Sequence, residues 1–574
     1  MLAPGPGCED APCDACDPCD ACESHDDPAV TADDRTYELL ITGGSVVDGT
    51  GAPRYEAAVG VTRRWAGASA TLVVLRDTNA IEDAIGRSKR LLDARGKVVA
   101  PGFIDLHSHS GLVLLENPTH EAKVAQGVTS EVIGVDGLSY APIRLAAHMR
   151  ELVEMNAGLD GSPEIEFDWA TVEQYLERFD GRSSVNVAFL VGNSALRLAT
   201  TGWADVEPRE ADVTEMRSML REAMEEGAYG VSSGLDYPPG SYASTGELAK
   251  LASEAARLHG IYHTHVRYTL GDRFLDPFRE AIEIGRQGGS PTHITHFYHR
   301  ATFPGTPEQM LQLVDDARAE GLDVTFDAYP YEWASTRLLI TIPTWVQEGG
   351  PGRTRERLAD RQVRGRIRDE LQARGVLYAG AGGIADIRLG AFRNTANLHC
   401  EGRTLGEICA DEGTDLVDRL CDLLLDEDLR LNQVTPGPHT DGIRRFYQHP
   451  QAMVGTDSTF VGRKPSPRSY GSYPRILGQF VRDEALLTLE GAVAKMTSMP
   501  ADRLGLKGRG RIADGAIADL VVFDPATVRS NATYDEPRKP PDGIEHVIVD
   551  GRLVLERGTH TGATPGRALR RGRD

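Results

Sequence analysis

Along residues 98–331, short apolar runs bounded by turn residues alternate with longer stretches whose apolar side chains recur every three to four positions. The first pattern predicts buried strands and the second amphipathic helices. Val98-Val-Ala leads through Pro101-Gly102 into Phe103-Ile-Asp-Leu, the first of these strands. Further strands are predicted at Val128-Thr-Ser-Glu-Val-Ile-Gly, Val185-Asn-Val-Ala-Phe-Leu-Val-Gly, Tyr229-Gly-Val-Ser-Ser-Gly, Ile261-Tyr-His-Thr-His265, Thr292-His-Ile-Thr-His296 and Val324-Thr-Phe-Asp-Ala-Tyr-Pro. Between them, Ala211 to Glu226 carries Val213, Met216, Leu220 and Met224 on one helical face. Helices also fit Glu247 to Leu258, Phe278 to Arg286 and Pro307 to Ala319. Met453-Val-Gly-Thr-Asp457 resumes as a last strand, with helices near 474–481 and 490–498. Strands thus end near 107, 134, 191, 232, 265, 296, 328 and 457. Eight strands alternating with helices predict an α/β fold, a TIM-like (β/α)8 barrel with its chemistry at the C-terminal strand ends.

Both ends of the chain have another rhythm. Tyr37-Glu-Leu-Leu-Ile-Thr-Gly-Gly-Ser-Val-Val-Asp-Gly suggests a hairpin, and Thr71-Leu-Val-Val-Leu is a further strand. Ala518-Asp-Leu-Val-Val-Phe-Asp and Val547-Ile-Val-Asp-Gly-Arg-Leu-Val-Leu repeat the pattern late in the chain. Residues 36–101 and 504–574 are therefore expected to form one small β-sandwich domain. The barrel, 102–331 and 451–503, is inserted between its halves. Residues 332–450 are charged and without clear periodicity, a long excursion from the barrel.

A chain of 574 residues is too long for one simple core. Its net charge of −23 argues against nucleic acid or an anionic membrane as partner. No apolar run approaches membrane-spanning length, and Met1-Leu-Ala-Pro-Gly-Pro-Gly lacks the features of a signal peptide, so the expected location is cytoplasmic. Nothing in the sequence fixes an oligomeric state. Cys8, Cys13, Cys16, Cys19 and Cys22 crowd the first segment. Residues 1–35 are expected to be a disordered Cys/Asp-rich leader rather than a soft-metal tether, being acidic and poor in core-forming residues. Cys400, Cys409 and Cys421 are isolated and expected as small buried hydrophobes.

The candidate chemistry gathers at the predicted strand ends. His107 and His109 stand at i and i+2, a spacing that puts two imidazoles on one side of an extended chain. Asp136 follows the second strand, His265 the fifth, His296 the sixth and Asp457 the eighth. All are residue types that bind Zn²⁺ or a similar divalent ion. His263 and His293 lie in the same strands and compete for the assignment, whereas His120, His148 and His299 are expected at the surface or behind the ligands.

These residues carry a resemblance. The chain is similar to the N-acyl-D-amino-acid deacylases (D-aminoacylases) of the metal-dependent amidohydrolase superfamily, from about residue 37 to 566. The matching stretches are Pro101-Gly-Phe-Ile-Asp-Leu-His-Ser-His, Gly127-Val-Thr-Ser, Gly230-Val-Ser-Ser-Gly-Leu-Asp-Tyr-Pro-Pro-Gly, Tyr262-His-Thr-His-Val-Arg, Asp327-Ala-Tyr-Pro-Tyr, Val454-Gly-Thr-Asp-Ser, Tyr473-Pro-Arg-Ile-Leu-Gly and the segment opening Gly510-Arg-Ile-Ala-Asp-Gly. The resemblance implies one tight zinc site at His265, His296 and position 136, and a second, weaker site at His107, His109 and Asp457. It implies hydrolysis of an N-acyl amino acid by metal-activated water, with Asp457 as general base and then acid. It also implies that 332–450 is a lid over the barrel mouth. Arg267, Tyr298, Tyr329 and Ser335 are expected at the substrate.

The chain departs from the family at three positions. Asp136 stands where the family has a cysteine, Tyr298 where it has a lysine thought to meet the substrate carboxylate, and Ser466 where it has a histidine. No lysine is placed for carbamylation. An altered substrate follows as an expectation. A cyclic amide is the alternative reaction on the same scaffold, and a non-catalytic scaffold the remaining reading.

Overall fold

The computed structural model describes residues 36–574 apart from 66, 301–303, 376–381 and 438–439. The cysteine-rich segment of residues 8–22 lies outside the described residues. Eight parallel strands line the catalytic region: β1 (Phe103–Asp105), β2 (Val128–Ile133), β3 (Asn186–Phe189), β4 (Gly230–Gly234), β5 (Ile261–His265), β6 (Thr292–Ile294), β7 (Val324–Ala328) and β8 (Ala452–Val454). They pair in two arcs. β1 to β3 form one, and β4 to β8, with the two-residue strand Val191–Gly192 at the edge beside β4, form the other. Backbone bonds close the ring: Tyr229 N–H donates to Phe189 O at 2.8 Å, and Asp457 N–H donates to His107 O at 2.9 Å. All residues of β2 and β4 to β8 are buried, as expected for strands covered on both faces.

The chain ends form two sheets. Thr71–Leu75, Ala58–Thr62, Leu39–Thr42 and Leu91–Asp93 make one; the other runs from Thr559–His560 through Leu520–Phe523 and Val98–Pro101 to Tyr55–Glu56. Val98–Pro101 pairs antiparallel with Leu520–Phe523, which joins the two halves of the domain. Alternate residues Leu39, Ile41, Val59 and Val61 pack with Leu520, Val522 and Ile548, the period of two that a half-buried strand requires. The last residues leave this domain. Leu569 N–H donates to Val187 O on β3 at 2.8 Å, and the Leu569 side chain is fully buried beside Ile104 and Met453 of the barrel. The chain end thus buttresses the barrel instead of extending the β domain.

Residues 332–450 are more ordered than their composition suggests. They hold a three-stranded antiparallel sheet of Ala334–Arg337, Asn432–Thr435 and Arg388–Gly390, with helices that include Gly350–Ala359, Arg361–Arg374, Leu405–Glu412 and Leu416–Asp426. In the last of these, Val417, Leu420, Cys421, Leu423 and Leu424 are buried on one face, and Asp415 caps its first turn. Cys400, Cys409 and Cys421 are free and buried.

Candidate metal centre and active site

Loops at the strand ends bring the candidate ligands together. His107 and His109 follow β1, and their Nε2 atoms converge on the same two carboxylates. His107 Nε2 is 3.4 Å from Asp136 Oδ2 and 3.6 Å from Asp457 Oδ1. His109 Nε2 is 3.5 Å and 3.4 Å from the same atoms. On the other side of Asp136, the same Oδ2 lies 3.4 Å from His265 Nδ1 and 3.7 Å from His296 Nε2. One carboxylate oxygen therefore faces all four imidazoles, as a bridge between two ligand sets would. Asp136, His296 and Asp457 all adopt positive φ (52°, 32° and 49°). Strained backbone of this kind at three converging candidate ligands is typical of a functional site. Gly234 makes room for the turn, since a Cβ there would collide with the Asp136 carbonyl.

A further layer fixes each ring. His109 Nδ1–H donates to Asp160 Oδ1 at 2.7 Å, and Tyr140 donates to the other oxygen of Asp160 at 2.6 Å. His265 Nε2–H donates to Asp236 at 3.1 Å, which leaves Nδ1 as the ligand atom. Asp327 accepts from the backbone of His296 and from His293 Nε2, and lies 3.8 Å from His107 Nδ1. Beneath them His263 and His293 stack at 5.1 Å, and burial holds both below the usual histidine value and neutral. His263 Nε2 turns to the Leu106 carbonyl, away from Asp136. His120 is buried, 3.1 Å from Glu131, and not at the surface; His148 and His299 are partly exposed.

The donor set fits a divalent ion. The Nε2 atoms of His107 and His109 are buried without a hydrogen-bond partner among the described residues. Four imidazoles with two carboxylates are a zinc-type set of nitrogen and oxygen ligands. Burial lowers the basicity of His107, but the charges of Asp136 and Asp457 outweigh it and push the imidazole up to about 10. Against the opposing effect of burial, the charge of His107 and hydrogen bonds from His107, His109 and His265 hold Asp136 well below the usual carboxylate range. In the metal-free protein, stabilisation by the His107 imidazolium is complete below about pH 6.5 and drains away as pH rises toward about 10. The melting temperature of metal-free protein is expected to fall across that window. Zinc should flatten the dependence, and its binding should release protons, measured as a titration heat that changes with the buffer's ionisation enthalpy.

Two residues expected at the substrate are engaged by the protein itself. Arg267 does not face the ligands as a clamp: its Nε lies 3.1 Å from Glu280, and its Nη1 and Nη2 donate to the carbonyls of Ser241 and Ala243. Its donors are occupied by the protein itself. Ser335 is engaged by Asn432 and Thr459 through its hydroxyl, and its carbonyl accepts from Arg468 at 2.7 Å. Arg468, which nothing in the sequence marks, is fully buried, forms an ion pair with Asp457 Oδ2 at 2.9 Å and lies 4.5 Å over the ring of Tyr329. Its Nε and Nη1 are buried without a hydrogen-bond partner among the described residues. Tyr298 leans on His296, with ring centroids 5.5 Å apart, and receives a hydrogen bond from Arg300 at 2.6 Å. Ser466, two residues before Arg468, is buried, and its hydroxyl has no hydrogen-bond partner among the described residues.

A closed parallel barrel with a histidine–carboxylate cluster at its strand ends defines a metal-dependent hydrolase. Residues 90–555 match the amidohydrolase family. An N-acyl-D-glutamate deacylase of Alcaligenes xylosoxydans xylosoxydans is 37% identical over 93% of this chain and 96% of its own length. A D-aminoacylase of the same organism is 32% identical over 94% and 99%. The crystal structure of an N-acyl-D-glutamate deacylase from Bordetella bronchiseptica, complexed with zinc and a phosphonate inhibitor that mimics the tetrahedral intermediate, superposes with a TM-score of 0.76. It is 33% identical and covers 93% of this chain and all of its own. The chain belongs to the amidohydrolase family, and it hydrolyses C–N amide bonds with the help of a bound metal. No helix among the described residues is long and apolar enough to cross a membrane.

Proposed function

We propose that this enzyme removes the acyl group from N-acyl-D-amino acids. The observation that carries the reading is Arg468. A guanidinium buried beside the general base, whose Nε and Nη1 have no hydrogen-bond partner among the described residues, is built to accept a substrate carboxylate. A free carboxylate next to the scissile amide belongs to an N-acyl amino acid rather than to a cyclic amide. The names of the relatives support an N-acyl-D-amino acid as substrate.

When bound, zinc supplies a water acidified toward pKa 7 and a Lewis acid for the amide carbonyl. Asp457 takes the water's proton on Oδ1, the oxygen turned to His107 and His109, and delivers it to the leaving amide nitrogen. Arg468 holds Oδ2, so the carboxylate keeps its orientation and stays ionised. His107, His109, His265 and His296, with Asp136 between them, would hold the metal.

The test is amine release by zinc-loaded protein from N-acetyl-D- and N-acetyl-L-amino acids in parallel. Release from the D series is expected. Release from the L series alone, or from a hydantoin ring with none from either series, overturns the reading. Arg468→Met should raise KM about 10–100-fold, the cost of one to two charge-assisted hydrogen bonds.

A further inference from the structure

We infer that His399, Cys400 and Glu412 form a metal site separate from the catalytic centre, one that takes a single Zn²⁺ or a softer ion such as Cd²⁺. All three lie in the excursion of residues 332–450. His399 and Cys400 close the short 3₁₀ helix Thr395–Cys400, and Glu412 closes the α-helix Leu405–Glu412. One donor atom from each residue lies within 4.8 Å of the other two.

The donors are already oriented. His399 Nδ1–H donates to the Ala396 carbonyl at 2.9 Å, which leaves the lone pair on Nε2. Nε2 lies 3.4 Å from Cys400 Sγ and 3.7 Å from Glu412 Oε1. Those separations suit a tetrahedral ion: Zn–S and Zn–N bonds of ordinary length place sulfur and nitrogen about 3.5 Å apart. Arg419 holds the carboxylate from behind, with Nη2 donating to Oε1 at 3.0 Å and Nε 2.7 Å from Oε2. The charge of this guanidinium is shared with Asp426, 3.8 Å from Nη1. Cys409 takes no part, since its Sγ turns to the Asp415 carbonyl. Cys400 is buried and His399 exposed, so the thiol is sealed beneath the imidazole and a fourth position opens to water. Without metal the thiol S–H donates to Nε2; the ion takes the place of that proton, which leaves to solvent.

The donor chemistry separates this site from the catalytic one. The catalytic cluster offers imidazole nitrogen and carboxylate oxygen, whereas a thiolate makes this site the softer of the two. Its position also gives it a structural hold on the barrel mouth. Glu401, the next residue, accepts from the backbone N–H groups of Arg463 at 2.9 Å and of Phe392 at 3.1 Å. Arg463 stands between Asp457 and Arg468 in the chain, so an ion on Cys400 fastens the corner that grips the active-site loop.

The experiment uses the full chain with Cys8, Cys13, Cys16, Cys19 and Cys22 changed to serine, so that only Cys400, Cys409 and Cys421 can supply a thiolate. Cobalt is titrated in and followed by its thiolate-to-metal charge-transfer band, which cobalt on nitrogen and oxygen ligands does not give. A band saturating at one ion per chain is expected. Cys400→Ser should abolish it, and His399→Gln and Glu412→Gln should each weaken cobalt binding at this band by at least about 10-fold. Circular dichroism checks the fold of each variant; if Cys400→Ser does not fold, the exposed His399→Gln decides. The inference is overturned if the parent gives no band, or if the band survives Cys400→Ser. It is overturned equally if both His399→Gln and Glu412→Gln leave the binding unchanged, which would mark a lone thiol. A band that needs about 1 mM cobalt records an adventitious ion only and overturns it too. None of these outcomes depends on the enzyme's substrate.

Discussion

Asp457→Asn is expected to lower kcat by at least about 10³-fold while leaving the fold intact. The residue occupies three roles at one position. Oδ1 lies 3.6 Å and 3.4 Å from two ligand imidazoles, Oδ2 is held by Arg468 at 2.9 Å, and the backbone N–H closes the barrel onto His107. Asparagine keeps the backbone bond, and its oxygen still accepts from Arg468. It also tolerates the left-handed φ of 49° that the turn demands. What it loses is the basic oxygen, so proton transfer in both directions fails and a metal ligand weakens. Circular dichroism and melting temperature should stay close to wild type, with zinc content reduced at most in part. Activity within about 10-fold of wild type would remove Asp457 as the general base. The pH profile offers a second reading, since the acidic limb of kcat should vanish with the carboxylate.

The alternation of short apolar runs with helical periodicity made the barrel legible because each strand is buried on both faces and each helix on one. The cluster residues were legible for a related reason. His107, His109, Asp136, His265, His296 and Asp457 all follow the last apolar residues of a strand, and a barrel brings such positions together whatever their separation in sequence. The groups that orient them left no local mark. Asp160 reaches His109 from 51 residues away at the end of a helix, and Arg468 reaches the Ser335 carbonyl across 133. Arg267 misled through proximity: two residues past a ligand it looked available, but Glu280, thirteen residues on, captures it. In 332–450 the dense arginines and aspartates hid the amphipathic stripe of Leu416–Asp426, whose buried face emerges only when the charged positions are set aside.

Asp136→Asn is expected to reduce zinc affinity by more than the ~10–100-fold that the loss of a supporting hydrogen-bond partner costs. The carboxylate is the shared element of the cluster: a single oxygen lies within 3.7 Å of a nitrogen on each of His107, His109, His265 and His296. Removing its charge leaves four imidazoles facing one another in a buried space, with only Asp457 to balance whatever cation enters. The backbone argues for asparagine as the test, because φ is 52° here and alanine would add strain that mimics the effect sought. Asp136→Cys is the informative companion. A thiolate restores the negative ligand but with a softer atom, so it should recover zinc binding while shifting preference away from harder ions such as Mn²⁺. Metal analysis after dialysis, with competition between zinc and manganese, reads both variants. Asp136→Asn with undiminished zinc would place the metal elsewhere than between these histidines. Asp136→Cys that still bound manganese as well as the wild type does would show that the bridging oxygen does not set metal preference.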